Sequence, residues 1–368
     1  MQSPLDCLIA LTEVESIGPV LANRLIDFFG SPEHIFKASL TDLLQVEGIN
    51  EARAKRISNF KGWKRVEEIF RICKCKDIKI VDIYSKEYPE QLRAIPDPPL
   101  VLYIKGILED TDRASVAVVG PRRASTYGKT VTERLVSELS SMGITIVSGL
   151  ARGIDTVAHR SAIDSGGRTI AVLGSGIDVP YPPENRALMK KIFNKGAVIS
   201  EFPPGTKPDR GNFPKRNRII SGLSLGVLVV EARMRSGALI TARLALEQGR
   251  DVFAVPGRIT SELSLGTNDL IRKGAKTVLT AKDIIEELSE QFKGIIRERA
   301  CETRNYELSN DEEALLELLT DEPVHVDDLT RMSTLPLYKI LGILTSLELK
   351  GLVKQAEGKR FYKTREVT

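Results

Sequence analysis

Histidine, cysteine and long apolar runs are all scarce in this chain of 368 residues. The three histidines, His34, His159 and His325, stand far apart, which leaves little for a His-based metal site or a histidine-driven general base. Four cysteines, Cys7, Cys73, Cys75 and Cys301, give one C-x-C pair and two isolated residues. That spacing suits neither a zinc cage nor a disulfide framework, so reduced thiols and no metal or cofactor are expected. The longest apolar stretch, Leu225 to Val230, falls far short of the ~20 residues that a membrane-spanning helix needs. The opening MQSPLDCLIA has no basic segment and is broken by Asp6, so no secretory signal, no membrane partner and a cytoplasmic location are expected.

What is present is ample core material, 42% hydrophobic and 28% charged, at a length that predicts two or three domains. The net charge of +4 is unevenly spread: residues 306–368 hold eight Lys/Arg against twelve Asp/Glu, a net of −4, leaving +8 upstream. A polyanion is the first partner to consider for that upstream part.

Residues 1–75 read as short helices between Gly-centred turns, with Val20, Leu21, Leu25, Ile26 and Phe28 at helical spacing. A pattern recurs there, Ser16 to Leu25 and again Val46 to Ile57, each placing a glycine turn before a helix. These segments resemble the halves of a helix-hairpin-helix (SAM-like) module, whose turns offer N–H groups to a phosphate. Six cations, Arg53, Lys55, Arg56, Lys61, Lys64 and Arg65, stand against one acid from Glu51 to Arg65. Phosphate contact and a packing module with a solvated basic face are both open readings.

From 76 to 292 short apolar runs alternate with helical stretches: Val116 to Val119, Ile144 to Val147, Thr169 to Leu173, Ala197 to Ile199, Val227 to Val230 and Val252 to Val255. Continuous apolar runs are strands buried on both faces, and the intervening helices imply a doubly wound parallel α/β sheet. Residues 293–305 read as a linker, within a charged stretch from Lys293 to Glu307. Residues 306–368 give helices at Asn310 to Leu319, around Val326 to Arg331 and through Leu337 to Leu347. A β-wing follows, from Gly351-Leu352-Val353 to Arg360-Phe361-Tyr362 around Glu357-Gly358. That order resembles a winged helix. Its third helix offers mainly Lys339 and Lys350 among leucines, which favours protein contact over base reading.

In an open parallel sheet, ligands sit beyond the carboxyl ends of the strands. The segment Gly120 to Thr130 contains Gly128-Lys129-Thr130, but Arg123 stands where a P-loop needs glycine, so ATP hydrolysis is not expected. After another strand, Gly174-Ser175-Gly176 lacks the third dinucleotide glycine because Val179 occupies its place. What remains suits isolated phosphates: Gly120, Arg122, Arg123 and Ser125 in one helix-start turn, Arg152 in a second, and Ser236-Gly237 in a third. Asp155 reads as a helix cap and His159 as a packed polar residue. The segment 207–218 holds five cations, among them Arg210, Lys215, Arg216 and Arg218, with Asn217, one acid and one aromatic, Phe213. Cations that track phosphates beside a ring that stacks a base are what a flexible single strand needs. Phe213 as a loop anchor with solvated arginines is the competing reading. Glu231 is expected to orient Arg216 or Arg218, or else to serve as a general base.

The segments VAVVGPRRAS, VSGLARGIDTVAH, TIAVLGSGIDVPYPPEN, FPKRNRIISGLS and VLVVEARMRSGALITARLALEQGRDVFAVPG occur in the order found in the DNA-processing protein A (DprA/Smf) family. The chain resembles that family over about residues 80–280. The resemblance implies an extended Rossmann-like sheet in a non-enzymatic homodimer that binds and protects incoming single-stranded DNA. It also implies help in loading the RecA recombinase during natural transformation, with a single-strand-binding protein as a further partner. The family's Gly-Ser-Arg turn falls on Gly120-Pro121-Arg122, its Phe-Pro-x-Arg-Asn-Arg segment on Phe213 to Arg218, and its Ser-Gly turn on Ser236-Gly237. Pro121 removes an N–H that the usual serine would offer. The alternative from another class is a nucleotide phosphoribohydrolase on a similar sheet; its Pro-Gly-Gly-x-Gly-Thr loop is not matched by residues 235–241.

Overall fold

The computed structural model describes residues 3–292, 309–320, 323–333, 335–349, 352–356 and 358–363. The 293–305 linker, the stretch Lys293 to Glu307, Cys301, Lys350, Gly351 and Glu357 lie outside the described residues. The chain divides into two compact units, residues 1–295 and 296–368.

The first unit opens with six helices, α1 (Pro4–Glu13), α2 (Pro19–Phe29), α3 (Pro32–Lys37), α4 (Leu40–Leu43), α5 (Glu51–Ser58) and α6 (Trp63–Lys76). Proline leads α1, α2 and α3, where its missing N–H costs no helical bond. Ser3 and Ser39 close capping boxes with Asp6 and Asp42, and Asn50 caps α5 by accepting from the Arg53 N–H. The repeat predicted from sequence is a tandem helix-hairpin-helix, its turns reversing at Ser16 (φ 68°) and Gly48 (φ 88°).

A nine-stranded sheet follows: β1 (Lys79–Asp82), β2 (Val101–Gly106), β3 (Ser115–Val119), β4 (Thr145–Ser148), β5 (Thr169–Leu173), β6 (Gly196–Ser200), β7 (Gly226–Val229), β8 (Asp251–Ala254) and β9 (Lys276–Thr277). Its order is β1-β2-β6-β5-β4-β3-β7-β8-β9. Strands β3 to β9 run parallel; β3 to β8 are the six apolar runs read from the sequence, and β9, two exposed polar residues, had no such signal. The pair β1–β2 extends the sheet antiparallel beside β6, an edge that sequence reading missed because only the four-residue helix α7 (Glu90–Arg93) lies between them.

The covering helices are α8 (Thr126–Ser141), α9 (Ile154–Asp164), α10 (Arg186–Lys195), α11 (Asn212–Gly222), α12 (Gly237–Glu247), α13 (Leu265–Arg272) and α14 (Ala281–Glu287). Both faces of the sheet are buried: in β3, Ala117 and Val119 join one core cluster while Val116 and Val118 join the other. The chain winds outward from β3 to β6 and returns on the other side at β7, so the topological switch lies between β3 and β7.

The second unit holds α15 (Asn310–Glu317), β10 (Val324–His325), α16 (Val326–Met332), α17 (Leu337–Leu349), β11 (Val353–Ala356) and β12 (Arg360–Lys363). Leu315, Leu329, Ile340, Leu344, Leu347, Val353 and Phe361 form its core, and β11–β12 is the wing of a winged helix.

Candidate nucleic-acid interface

Phe213, in the first turn of α11, is where three strand-end loops meet. Its ring lies against Gly174 after β5, so close that a Cβ on that glycine would come within 2.9 Å. The Tyr181 ring stands 5.6 Å away, and the Arg122 guanidinium, from the turn after β3, lies over the ring at 5.0 Å. A cation over a half-buried ring gains about 1 kcal/mol and fixes the direction of an otherwise free arginine. Tyr181 carries no functional assignment in the sequence reading; the signal was the Tyr181-Pro182-Pro183 run, a rigid turn behind an aromatic.

Burial sorts the expected cations. Arg216 is 4% exposed and donates to Val172 O at 2.5 Å, its guanidinium filling the space that a side chain at Gly149 would need. Burial pushes its pKa down to about 10, so it stays charged at neutral pH, and the Asp155 carboxylate favours that charge. Arg218 is 5% exposed and pairs with Glu201 and with Asp97 at 3.2 Å. Both arginines, expected in a solvent-facing groove, instead point into the protein. Glu231 engages neither: its carboxylate accepts the Ser125 N–H at 3.0 Å and the Ser125 hydroxyl at 2.5 Å. The expected ion-pair role for Glu231 is therefore replaced, and the Ser125 donors expected for a phosphate are already taken. A carboxylate seated at the start of α8 occupies the switch-point position that a nucleotide phosphate would take.

Asp155 and His159 are packing groups. Asp155 accepts the Ala151 N–H at 3.3 Å, and burial raises its pKa. His159 is fully buried, its Nε2 accepting the Leu150 N–H at 3.3 Å and its Nδ1 2.7 Å from Thr169 Oγ1. Together with Asn185, which donates to Leu150 O at 2.9 Å, it holds Leu150 at φ 55°. The loop then passes Gly153 (φ 76°), where a Cβ would meet Pro121 O at 2.2 Å; only glycine lets the β3 and β4 loops touch.

The remaining expected residues line the exposed crest. Arg122, Arg123, Arg210 and Lys215 are exposed, and among the described residues Arg123 and Arg210 have no hydrogen bond or ion pair. Arg152 is exposed but pairs with Glu184. Gly120 packs on Ile154, and Asn217 reaches Gly237 O at 3.5 Å, joining α11 to α12. At the start of α12 the Ser236 Oγ is buried without a hydrogen-bond partner, and Gly237 faces open space.

In the helical module most cations already hold a partner within the protein. Arg24 pairs with Glu47 at 3.4 Å and Arg56 with Glu15 at 3.3 Å, so each hairpin's helix reaches the acid of the other hairpin's turn. Arg53 donates to Gly48 O at 2.6 Å, Lys55 pairs with Glu51, and Arg65 donates to Pro204 O at 2.5 Å. Of the six clustered cations, Lys61 and Lys64 alone hold no such bond among the described residues. In the winged helix, α17 exposes Leu337, Tyr338 and Leu341, while Lys339 is paired with Asp311 at 2.7 Å. Among the described residues no group of side chains could hold a metal ion, and no helix is long and apolar enough to cross a membrane.

These features define an α/β protein with a doubly wound sheet, carried between tandem helix-hairpin-helix and winged-helix modules. The DNA recombination-mediator protein A family model matches residues 79–289, and the chain belongs to that family. A DprA winged-helix model matches residues 302–359 and a SAM-like helix-hairpin-helix tandem matches 8–60. The chain is 34% identical to Protein Smf of Synechocystis over 96% of its own length and 97% of that protein's. It is 40% identical to Protein Smf of Escherichia coli over 86% and 85% of the two chains. The structure of DNA processing protein A from Streptococcus pneumoniae matches with a TM-score of 0.67 and 38% identity, over 78% of this chain and 99% of that one. The Helicobacter pylori protein, whose structure concerns its single-stranded DNA binding mode, matches with a TM-score of 0.53 and 31% identity, over 58% and 96%.

Proposed function

We propose that this chain binds single-stranded DNA along the carboxyl-end crest of its parallel sheet, without a catalytic step, and acts in DNA processing during transformation. The observation that carries this reading is the convergence of Arg122, Phe213 and Tyr181, with the exposed and unpaired Arg123 next to Arg122 in the chain and Arg210 three residues before Phe213. The direct ligands in this reading are Arg122, Arg123, Arg210, Lys215 and the Ser236-Gly237 turn, with Gly120, Arg152 and Asn217 shaping the crest and Arg216 and Arg218 supporting it from within. Loading of RecA, a homodimer, contact with a single-strand-binding protein and a cytoplasmic location complete the proposal. So does the division into 1–75, 76–292, 293–305 and 306–368; their support is the family relationship. A hydrolase reading would need Glu231 free as a base, whereas it is committed to Ser125.

The test is Arg122→Glu, titrated by fluorescence anisotropy with labelled oligo-dT at several salt concentrations. Affinity is expected to fall about tenfold or more and the salt slope to become shallower, as when a phosphate contact is lost. An unchanged titration would refute the assignment. Base release from nucleoside monophosphates that Glu231→Gln abolishes would replace it.

A further inference from the structure

The β6–α11 connection, residues 201–211, carries Arg210 and delivers Phe213, yet its middle is held by the helical module. Arg65, in the first turn of α6, donates Nη2 to Pro204 O at 2.5 Å and is itself oriented by Glu68 at 2.9 Å. Lys76, the last residue of the same helix, pairs with Asp178 at 3.0 Å. The other oxygen of Asp178 accepts the Gly205 N–H at 2.8 Å. Gly205 sits at φ 85°, and the next residue's carbonyl, Thr206 O, accepts from the Gly176 N–H at 3.0 Å, tying the connection to the loop that carries Tyr181. Burial alone would raise the Asp178 carboxyl, but the Gly205 N–H and Lys76 outweigh it and hold the pKa below the usual carboxylate value. Arg65 and Lys76 sit at opposite ends of α6, their backbones roughly 17 Å apart along its axis, and their side chains converge on the Pro204-Gly205 peptide, Lys76 through Asp178.

We propose that α6 is a brace for the DNA face, with Arg65 and Lys76 as positioning residues. Through Pro204 and Asp178 they fix the 201–211 connection, and with it Arg210 and Phe213. The proposal rests on the single-strand reading above and gives the helical module a role in DNA affinity without DNA contact. A connection of this length left free would have to be ordered on binding, at about 1 kcal/mol or more per residue fixed; a connection ordered beforehand avoids that cost.

The experiment uses the full chain with Arg65→Met, Lys76→Met and Asp178→Ala. Arg65→Lys and Asp178→Asn serve as conservative partners. Each is titrated with labelled oligo-dT across a salt series, and amide exchange over residues 203–213 is followed without DNA. Arg65→Met and Lys76→Met are each expected to weaken binding about threefold or more, and Asp178→Ala, which loses the Lys76 pair and the Gly205 bond together, about five- to tenfold. Asp178→Asn, whose Oδ1 still accepts from Gly205, should weaken it less. The salt slope should stay that of the parent protein, because no phosphate contact is lost. The Gly205 and Thr206 amides should exchange faster. Unchanged affinity or unchanged exchange in folded Arg65→Met and Lys76→Met overturns the brace, whatever Asp178→Ala does, because Asp178 also holds Gly205 directly. So does a shallower slope in Arg65→Met or Lys76→Met, which would make those residues phosphate ligands. If the parent protein itself binds no oligo-dT, the functional reading fails, and the exchange comparison still decides whether α6 holds the connection.

Discussion

Arg122 and Arg218 carry the same side chain into opposite environments. Arg122 is exposed over the Phe213 ring, whereas Arg218 is 5% exposed between Glu201 and Asp97. Breaking a buried pair strands a charge, so Arg218→Ala is expected to lower stability by about 3 kcal/mol in urea unfolding. Arg122→Glu should stay within about 1 kcal/mol of the parent while weakening DNA binding. His159 gives a pH test. Burial, with the Arg216 charge adding to it, pushes its folded-state pKa down to about 3. The unfolded chain therefore takes up the proton first, near pH 6.5. Stability is complete above that value and falls as the pH drops from there toward 3, by about 2 kcal/mol at pH 5. His159→Gln should remove that part of the decline in urea unfolding measured from pH 7 to pH 5. Residue types at the crest were legible in the sequence, but their directions were not. Arg216 and Arg218 are two residues apart on α11, pointing roughly 200° from each other, and both are buried. A helix covered on two sides has no periodicity from which a solvent-facing side can be read.

Among the elements, the parallel strands were legible because burial on both faces demands uninterrupted Val, Ile and Leu. The antiparallel β1–β2 edge escaped because it lacks the strand–helix alternation that marked the others. The two hairpins were legible as a repeat, but the destination of their cations was not. The acids at Glu15 and Glu47 lie far in sequence from the arginines that reach them, Arg56 and Arg24. These pairs are solvent-exposed, so Arg24→Ala and Arg56→Ala should each change stability by less than about 1 kcal/mol in urea unfolding. A larger loss would mean that the pairs hold the hairpins together. The brace at α6 has the same character: its sequence shows a basic helix, and only the tertiary structure shows which carbonyl and which carboxylate that helix holds.

At the scale of the whole molecule, charge is segregated, with +8 in residues 1–305 and −4 in residues 306–368. The winged-helix segment is acidic, which disfavours phosphate contact, and it exposes Leu337, Tyr338 and Leu341 on α17. Deleting residues 306–368 is accordingly expected to leave oligo-dT affinity within about twofold. A large loss would place the wing on DNA. The most direct measurement of the central claim compares single-stranded and double-stranded oligonucleotides of equal length, titrated with the full chain from low to physiological salt. A positively lined crest with ring contacts predicts tighter binding of the single strand, its affinity falling with salt by a slope of about −0.7 per phosphate neutralised. Equal affinity for the duplex, or single-strand binding indifferent to salt, would contradict it.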